Sequence, residues 1–272
     1  MEKNRYHDEK IFTRNGNERG NYWRVVMNLT WCGRTHICGR PKNEDAFDMQ
    51  QINEHLAAFA VADGLGGLPA GEIASRMAVT SLMDTVRTLA PMDITCTPAQ
   101  MKEILTKGFF AASQAIDDYC SKKTDQKRMA TTLVAALIND ANEGVIAYVG
   151  DSRAYTGEEK LVQITEDHSL VQELFRRGLI TQDEARHHPD KNVVSRVVSE
   201  IPVNPDLRDF RIEKNTLILC TDGLTDALTD EEIFSELKEK DVNRICTTLI
   251  DRAIKVKRDN TTIIVIRATS VP

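Results

Sequence analysis

The stretch Leu56-Ala57-Ala58-Phe59-Ala60-Val61-Ala62-Asp63-Gly64-Leu65-Gly66-Gly67 decides how this chain is read. An apolar run of strand length ends in a carboxylate, and a glycine-rich turn leads into a helical pattern. The arrangement recurs twice. Leu217-Ile218-Leu219-Cys220-Thr221 ends in Asp222-Gly223, and Val145-Ile146-Ala147-Tyr148-Val149-Gly150 ends in Asp151-Ser152. Asp-Gly also starts ordinary turns. Aspartate is depleted in strands, however, and three apolar runs that each deliver one at the end read better as a built acidic site.

Working outward, residues 46–50 form a short strand that Asn53-Glu54 turns into 56–62, a hairpin pattern. Residues 22–31 read as an earlier strand. Residues 70–89 carry a helical stripe that includes Ile73, Met77, Leu82 and Val86. Pro91 stops that helix, and Thr97-Pro98 opens a second one running to about Lys122. Strands follow at 131–138, 145–149, 153–155 and 161–164. From 167 to 205 short helical pieces (169–177 and 182–187) are broken by Gly178, Pro189, Pro202 and Pro205, which suggests an insert lying over the sheet edge as a lid. Strands at 210–212 and 217–221 are joined by Lys214-Asn215; helices follow near 230–240 and 242–256, and a last strand at 261–266. Tight turns between strands and helices in blocks predict an α+β fold. The expected form is a four-layer α-β-β-α sandwich of two mainly antiparallel sheets flanked by helix pairs. Residues 1–20 lack periodicity and predict a loose arm; residues 21–272 predict a single domain.

The 272 residues suit one large domain, and a net charge of −6 without a dense Lys/Arg block argues against a nucleic-acid partner. No apolar run approaches the roughly 20 residues of a membrane helix, and the polar start is no secretory signal. Six scattered cysteines without a CxxC pair predict reduced, mostly buried thiols. The spacing of Cys32, His36 and Cys38 matches no familiar zinc site. A cytoplasmic monomer is expected.

Asn43-Glu44-Asp45 begins one strand and Arg258-Asp259-Asn260 begins the last. If 46–50 pairs antiparallel with 56–62, Glu44 and Asp45 sit beside Asp63. If the last strand lies antiparallel beside 217–221, Asp259 sits beside Asp222. Glu44, Asp45, Asp63, Asp222 and Asp259 then gather at one end of the sandwich. Such a cluster cannot stay ionised without cations, and oxygen-only ligands suit Mg²⁺ or Mn²⁺. Two such ions about 3.5–4 Å apart can activate a water for in-line attack on phosphorus. The planar fork of Arg40 suits phosphate oxygens.

Arg40-Pro41-Lys42-Asn43-Glu44-Asp45, Ala62-Asp63-Gly64-Leu65-Gly66-Gly67, Ala130-Thr131-Thr132-Leu133, Gly150-Asp151-Ser152-Arg153, Glu166-Asp167-His168-Ser169, Thr221-Asp222-Gly223-Leu224-Thr225-Asp226 and Arg258-Asp259-Asn260-Thr261 stand in one order. Together they resemble the motifs of bacterial-type members of the type 2C metal-dependent protein serine/threonine phosphatases. The resemblance spans about residues 30 to 267. It implies a dinuclear Mn²⁺/Mg²⁺ centre in which Asp63 bridges both ions and Gly64 offers its carbonyl. Asp222 and Asp259 would hold the first ion, with Asp45 and Glu44 on the side of the second. Arg40 would bind the phosphoryl group. Asp151, with Asp222, matches the place of a third, weaker ion; Asp226 and Asn260 would be supporting residues. The 167–205 insert matches a flap subdomain.

The implied activity is hydrolysis of phosphoserine and phosphothreonine on proteins by a water held between two ions, reversing a cognate serine/threonine kinase. Leu65 stands where some members carry a histidine proposed as general acid. Leucine donates no proton, so the leaving oxygen needs another donor. Two alternatives share the fold: a catalytically silent relative that docks phosphoproteins, and a phosphatase of an anti-sigma partner-switching pathway. Loss of a metal ligand would mark the first, and none is lost; an attached sensor domain would favour the second, and none is seen.

Overall fold

Two five-stranded sheets lie face to face. One holds, in spatial order, β1 (Leu29–His36), β10 (Thr261–Ala268), β9 (Thr216–Cys220), β6 (Arg153–Gly157) and β7 (Leu161–Gln163). The other holds β2 (Asp45–Asn53), β3 (Leu56–Asp63), β4 (Leu133–Asn139), β5 (Glu143–Val149) and β8 (Asp206–Arg211). All neighbours are antiparallel. The structure is a computed structural model that describes residues 29–65, 70–122, 128–157, 159–213, 215–256 and 259–268. The expected arm at 1–20, and residues 22–28 of the expected first strand, lie outside them.

Helices α1 (Gly71–Leu89) and α2 (Pro98–Ser121) cover the outer face of the second sheet. The short α5 (Asp222–Thr225) and α6 (Asp230–Glu236), with the longer α7 (Val242–Val256), cover the first. Apolar layers fill the three gaps, which explains the unbroken apolar runs. On β3, Leu56, Ala58, Ala60 and Ala62 face the helices, while Ala57, Phe59 and Val61 face the other sheet. A strand buried on both sides has no polar alternation. Between the sheets Trp31 meets Phe59 edge-on, ring centroids 5.5 Å apart.

The four-layer sandwich matches the sequence reading, with corrections. The runs at 145–149 and 153–155 do not form a hairpin: β5 and β6 belong to different sheets, so Gly150-Asp151-Ser152 crosses between them. The runs at 210–212 and 217–221 are likewise separated. β8 spans Asp206–Arg211 and pairs with β5, while β9 lies between β10 and β6. One outer layer is not a pair of long helices, because α6 ends at Glu236, where Glu239 then accepts the amides of Lys240 and Asp241 in a turn. β1 runs on to His36, beyond the expected end at 31. Within 167–205 stand α3 (Leu170–Arg176) and α4 (Gln182–His187). His187 is exposed as expected, but His188 is only part-exposed.

Candidate metal centre

Strand register builds the site. Asp45 stands directly opposite Asp63 across β2 and β3. On the facing sheet, Cys220 pairs with Ile263, so the residues just past β9 and just before β10 meet. Asp222 and Asp259 are those residues. The two pairings expected from sequence therefore form, and they share one end of the sandwich.

The surrounding main chain is pinned. The Asp63 amide donates to Thr132 Oγ1 at 2.9 Å, and its carbonyl accepts from the Thr132 amide and the Thr131 hydroxyl, both at 2.8 Å. Asn260 ties the first strands to the last: its Oδ1 accepts the Glu44 amide at 2.8 Å, and its Nδ2 donates to the carbonyls of Ile37 and Lys42 at 2.9 and 2.8 Å. Two glycines allow the close approach. A Cβ on Gly64 would lie 2.2 Å from the Gly71 carbonyl oxygen, and one on Gly223 would lie 1.9 Å from that of Asn260. No side chain fits either place.

The carboxylates perturb one another. Burial first, then the charges of Asp222 and Asp259, push the Asp45 carboxyl up to about 7 despite two hydrogen bonds that oppose the shift. Burial, Asp226 and Asp259 push Asp222 up to about 6. Asp63 rises well above the usual carboxylate range through burial and then Asp45, Asp222, Asp151 and Asp259. Asp151, on the crossing between sheets, is raised by burial, Asp222 and Asp167. Glu44 is raised by burial and Glu72. Five acids on adjacent strand ends thus feel one another, as a site that needs cations should.

Two carboxylate oxygens test that need. Asp45 Oδ2 accepts from the hydroxyls of Thr221 and Thr262 at 3.0 and 2.6 Å, yet its Oδ1 is buried with no donor. Asp222 Oδ1 is also buried and unpartnered. Buried oxygens left so are costly, and a hard cation satisfies both. Among the described residues no three His, Cys, Asp or Glu side chains, as they lie, are grouped so as to hold a metal ion. Asp45 leans on its threonines, and Asp259 Oδ2 pairs with the Arg40 guanidinium while Oδ1 accepts the Asn260 amide at 2.7 Å. The donor set, all oxygen and anionic, fits Mg²⁺ or Mn²⁺.

The structure brings Arg40, Glu44, Asp45, Asp63, Gly64, Asp151, Asp222, Asp259 and Asn260 to this end. Asp226 sits at the end of α5, ion-paired through Oδ2 with Lys191 Nζ. Sequence reasoning missed Thr221 and Thr262, because threonine in a strand reads as ordinary β-propensity. It also missed Lys191, whose neighbourhood gives no periodic signal. His168 is a structural partner: its Nδ1 accepts the Gly150 amide at 3.1 Å, and its ring stacks on Tyr148.

Residues 32–252 match the family described as Protein phosphatase 2C. The serine/threonine phosphatase stp of Listeria monocytogenes is 37% identical over 205 residues, covering 74% of this chain and 79% of that protein. The crystal structure of serine/threonine phosphatase Stp1 from Staphylococcus aureus superposes with a TM-score of 0.83 at 32% identity, over 93% of this chain and 100% of that one. The catalytic domain of the phosphatase PstP, solved in complex with two manganese ions, gives 0.77 at 29% identity, over 89% and 99%. Motif order, two-sheet frame and these likenesses agree, and the chain belongs to the protein phosphatase 2C family.

Proposed function

We propose that this chain hydrolyses phosphoserine and phosphothreonine on proteins at the acidic end of the sandwich, using Mn²⁺ or Mg²⁺. The carrying observation is the pair of buried, unpartnered oxygens, Asp45 Oδ1 and Asp222 Oδ1, within a set of acids that raise one another's pKa beside Arg40. Asp63 would serve both ions, with Asp222 and Asp259 on the first, Asp45 and Glu44 on the side of the second, and the Gly64 carbonyl as a further ligand. Two ions held there would neutralise the carboxylates and would supply the charge that activates a water for attack on phosphorus.

The chain's own groups do the rest. Thr221 and Thr262 donate to Asp45 and favour its ionised form. The backbone clamp on Asp63 fixes the strand end, so its carboxylate need not be reoriented during reaction. Arg40, held charged by Asp259, is half-exposed and turns its fork to the phosphoryl oxygens. Leu65 contributes no proton.

In this reading the 167–205 segment is a flap that steers substrate choice, and residues 1–20 are an appended arm. The partner is a phosphoprotein modified by a cognate serine/threonine kinase. The enzyme works as a cytoplasmic monomer, in keeping with its six free thiols. The test is Mn²⁺-dependent release of phosphate from a phosphothreonine peptide. EDTA should abolish it, and Asp222→Asn should lower kcat/KM by about a hundredfold or more. Full activity in EDTA, or in the variant, would reject the reading.

A further inference from the structure

The 167–205 segment meets the catalytic end with little apolar contact. Between Val171 and Val198 no described residue is buried. Its base is held by backbone: Thr131 and Val198 exchange hydrogen bonds of 3.0 and 2.8 Å, and the Leu170 amide donates to the Val193 carbonyl at 2.9 Å. Its tip is held by charge. Lys191 pairs with Asp226 on α5, and Arg186 approaches Asp230 at 3.9 Å. Lys191 and Asp226 are each only about a quarter exposed (26% and 27%), so their pairing is less screened than a surface pair.

Tip and core enclose a cleft of about 420 Å³ whose walls include Asp151, Asp222, Asp226 and Lys191. Asp226 raises the Asp222 carboxyl and Lys191 lowers it, so the ammonium already sits in the field of the acidic cluster. Asp222 keeps a buried oxygen without a donor on the same residue. A divalent ion on the Asp151–Asp222 side would draw on the Asp226 charge and repel the ammonium that now uses it.

We propose that Lys191 is a built-in competitor for a third divalent ion. Its pairing with Asp226 latches the segment tip onto α5, and ion binding on the Asp151–Asp222 side releases the latch. The inference rests on the metal-centre reading above. By linkage, each event weakens the other by the same factor. Tip position and third-ion occupancy become one equilibrium, and a lysine stands in for the cation when the ion is scarce.

Calorimetric titration with Mn²⁺ alone tests this without an activity assay. Wild type should show tight binding followed by a weak phase. Lys191→Met should tighten the weak phase about fivefold or more, and Lys191→Arg, which keeps the charge, should behave as wild type. Hydrogen exchange over 178–192 should rise in wild type as the weak phase fills, and should start high in Lys191→Met. Asp222→Asn serves as the control and should lose Mn²⁺ binding. An unchanged weak phase in Lys191→Met, no weak phase in either protein, or protection of 178–192 by Mn²⁺ would overturn the latch while leaving the metal centre standing. Full Mn²⁺ binding by Asp222→Asn would instead overturn the metal centre, and the latch with it.

Discussion

Asn260 carries more of the site than its lack of charge suggests. It is 4% exposed and spends three hydrogen bonds on Glu44, Ile37 and Lys42, the stretch that delivers Arg40 and Asp45. Its side chain touches none of the carboxylate oxygens, and only its main-chain amide reaches one, Asp259 Oδ1 at 2.7 Å, so the role of the side chain is to hold the strand that bears them. Asn260→Ala should weaken Mn²⁺ affinity by about 10–100-fold and cost about 2–4 kcal/mol of stability from orphaned backbone groups. Calorimetry and denaturant unfolding check the two effects. Wild-type Mn²⁺ affinity in the variant would show that the loop holds itself. At this scale the acids were legible in the sequence, since Asp63, Asp151 and Asp222 each end an apolar run and Asp45 and Asp259 each stand at the start of a strand. The threonine hydroxyls on Asp45 were not, because nothing local separates a threonine that packs from one that donates.

At the scale of elements, the juxtaposition of Asp45 with Asp63 and of Asp222 with Asp259 could be read, because antiparallel pairing aligns the end of one strand with the start of its neighbour. Sheet membership could not. The three residues 150–152 have the length of a tight turn, yet they carry the chain from one sheet to the other; Gly150 takes φ +109° there. Turn length and turn residues are shared by hairpins and crossings, and only the packed core chooses between them. The approach of α5 to β10 has a sharper signature. Gly223 abuts the Asn260 carbonyl, so Gly223→Ala must push Asp222 and Asp259 apart. The expected result is a folded protein with at least tenfold weaker Mn²⁺ binding, or one destabilised by more than about 2 kcal/mol. Unchanged binding and melting would refute the tight contact.

For the whole molecule, the cost of the acidic end is measurable as a dependence on pH. Asp45, raised to about 7, and Asp222, raised to about 6, keep protons in the metal-free fold that the unfolded chain has released above about pH 4. Their contribution to stability is therefore full below pH 4 and is lost as pH rises toward 7. Titration of His36 and His168, both held below the usual histidine value mainly by burial, works in the opposite sense, so a comparison isolates the acid. In EDTA, Asp45→Asn should melt higher relative to wild type at pH 7.5 than at pH 4.5. A pH-independent difference would show that Asp45 carries no such strain. The four-layer plan was the most legible feature of all, since strands buried on both faces announce a layer on each side.

Asp45 and Asp63 ride on one sheet, while Asp222 and Asp259 flank strands of the other. Ions shared among them would rivet two leaves together at the end where their carboxylates otherwise repel. Manganese starvation would then do more than silence the chemistry: the leaves would begin to part at the rivets, and the protein would age faster wherever the metal runs short.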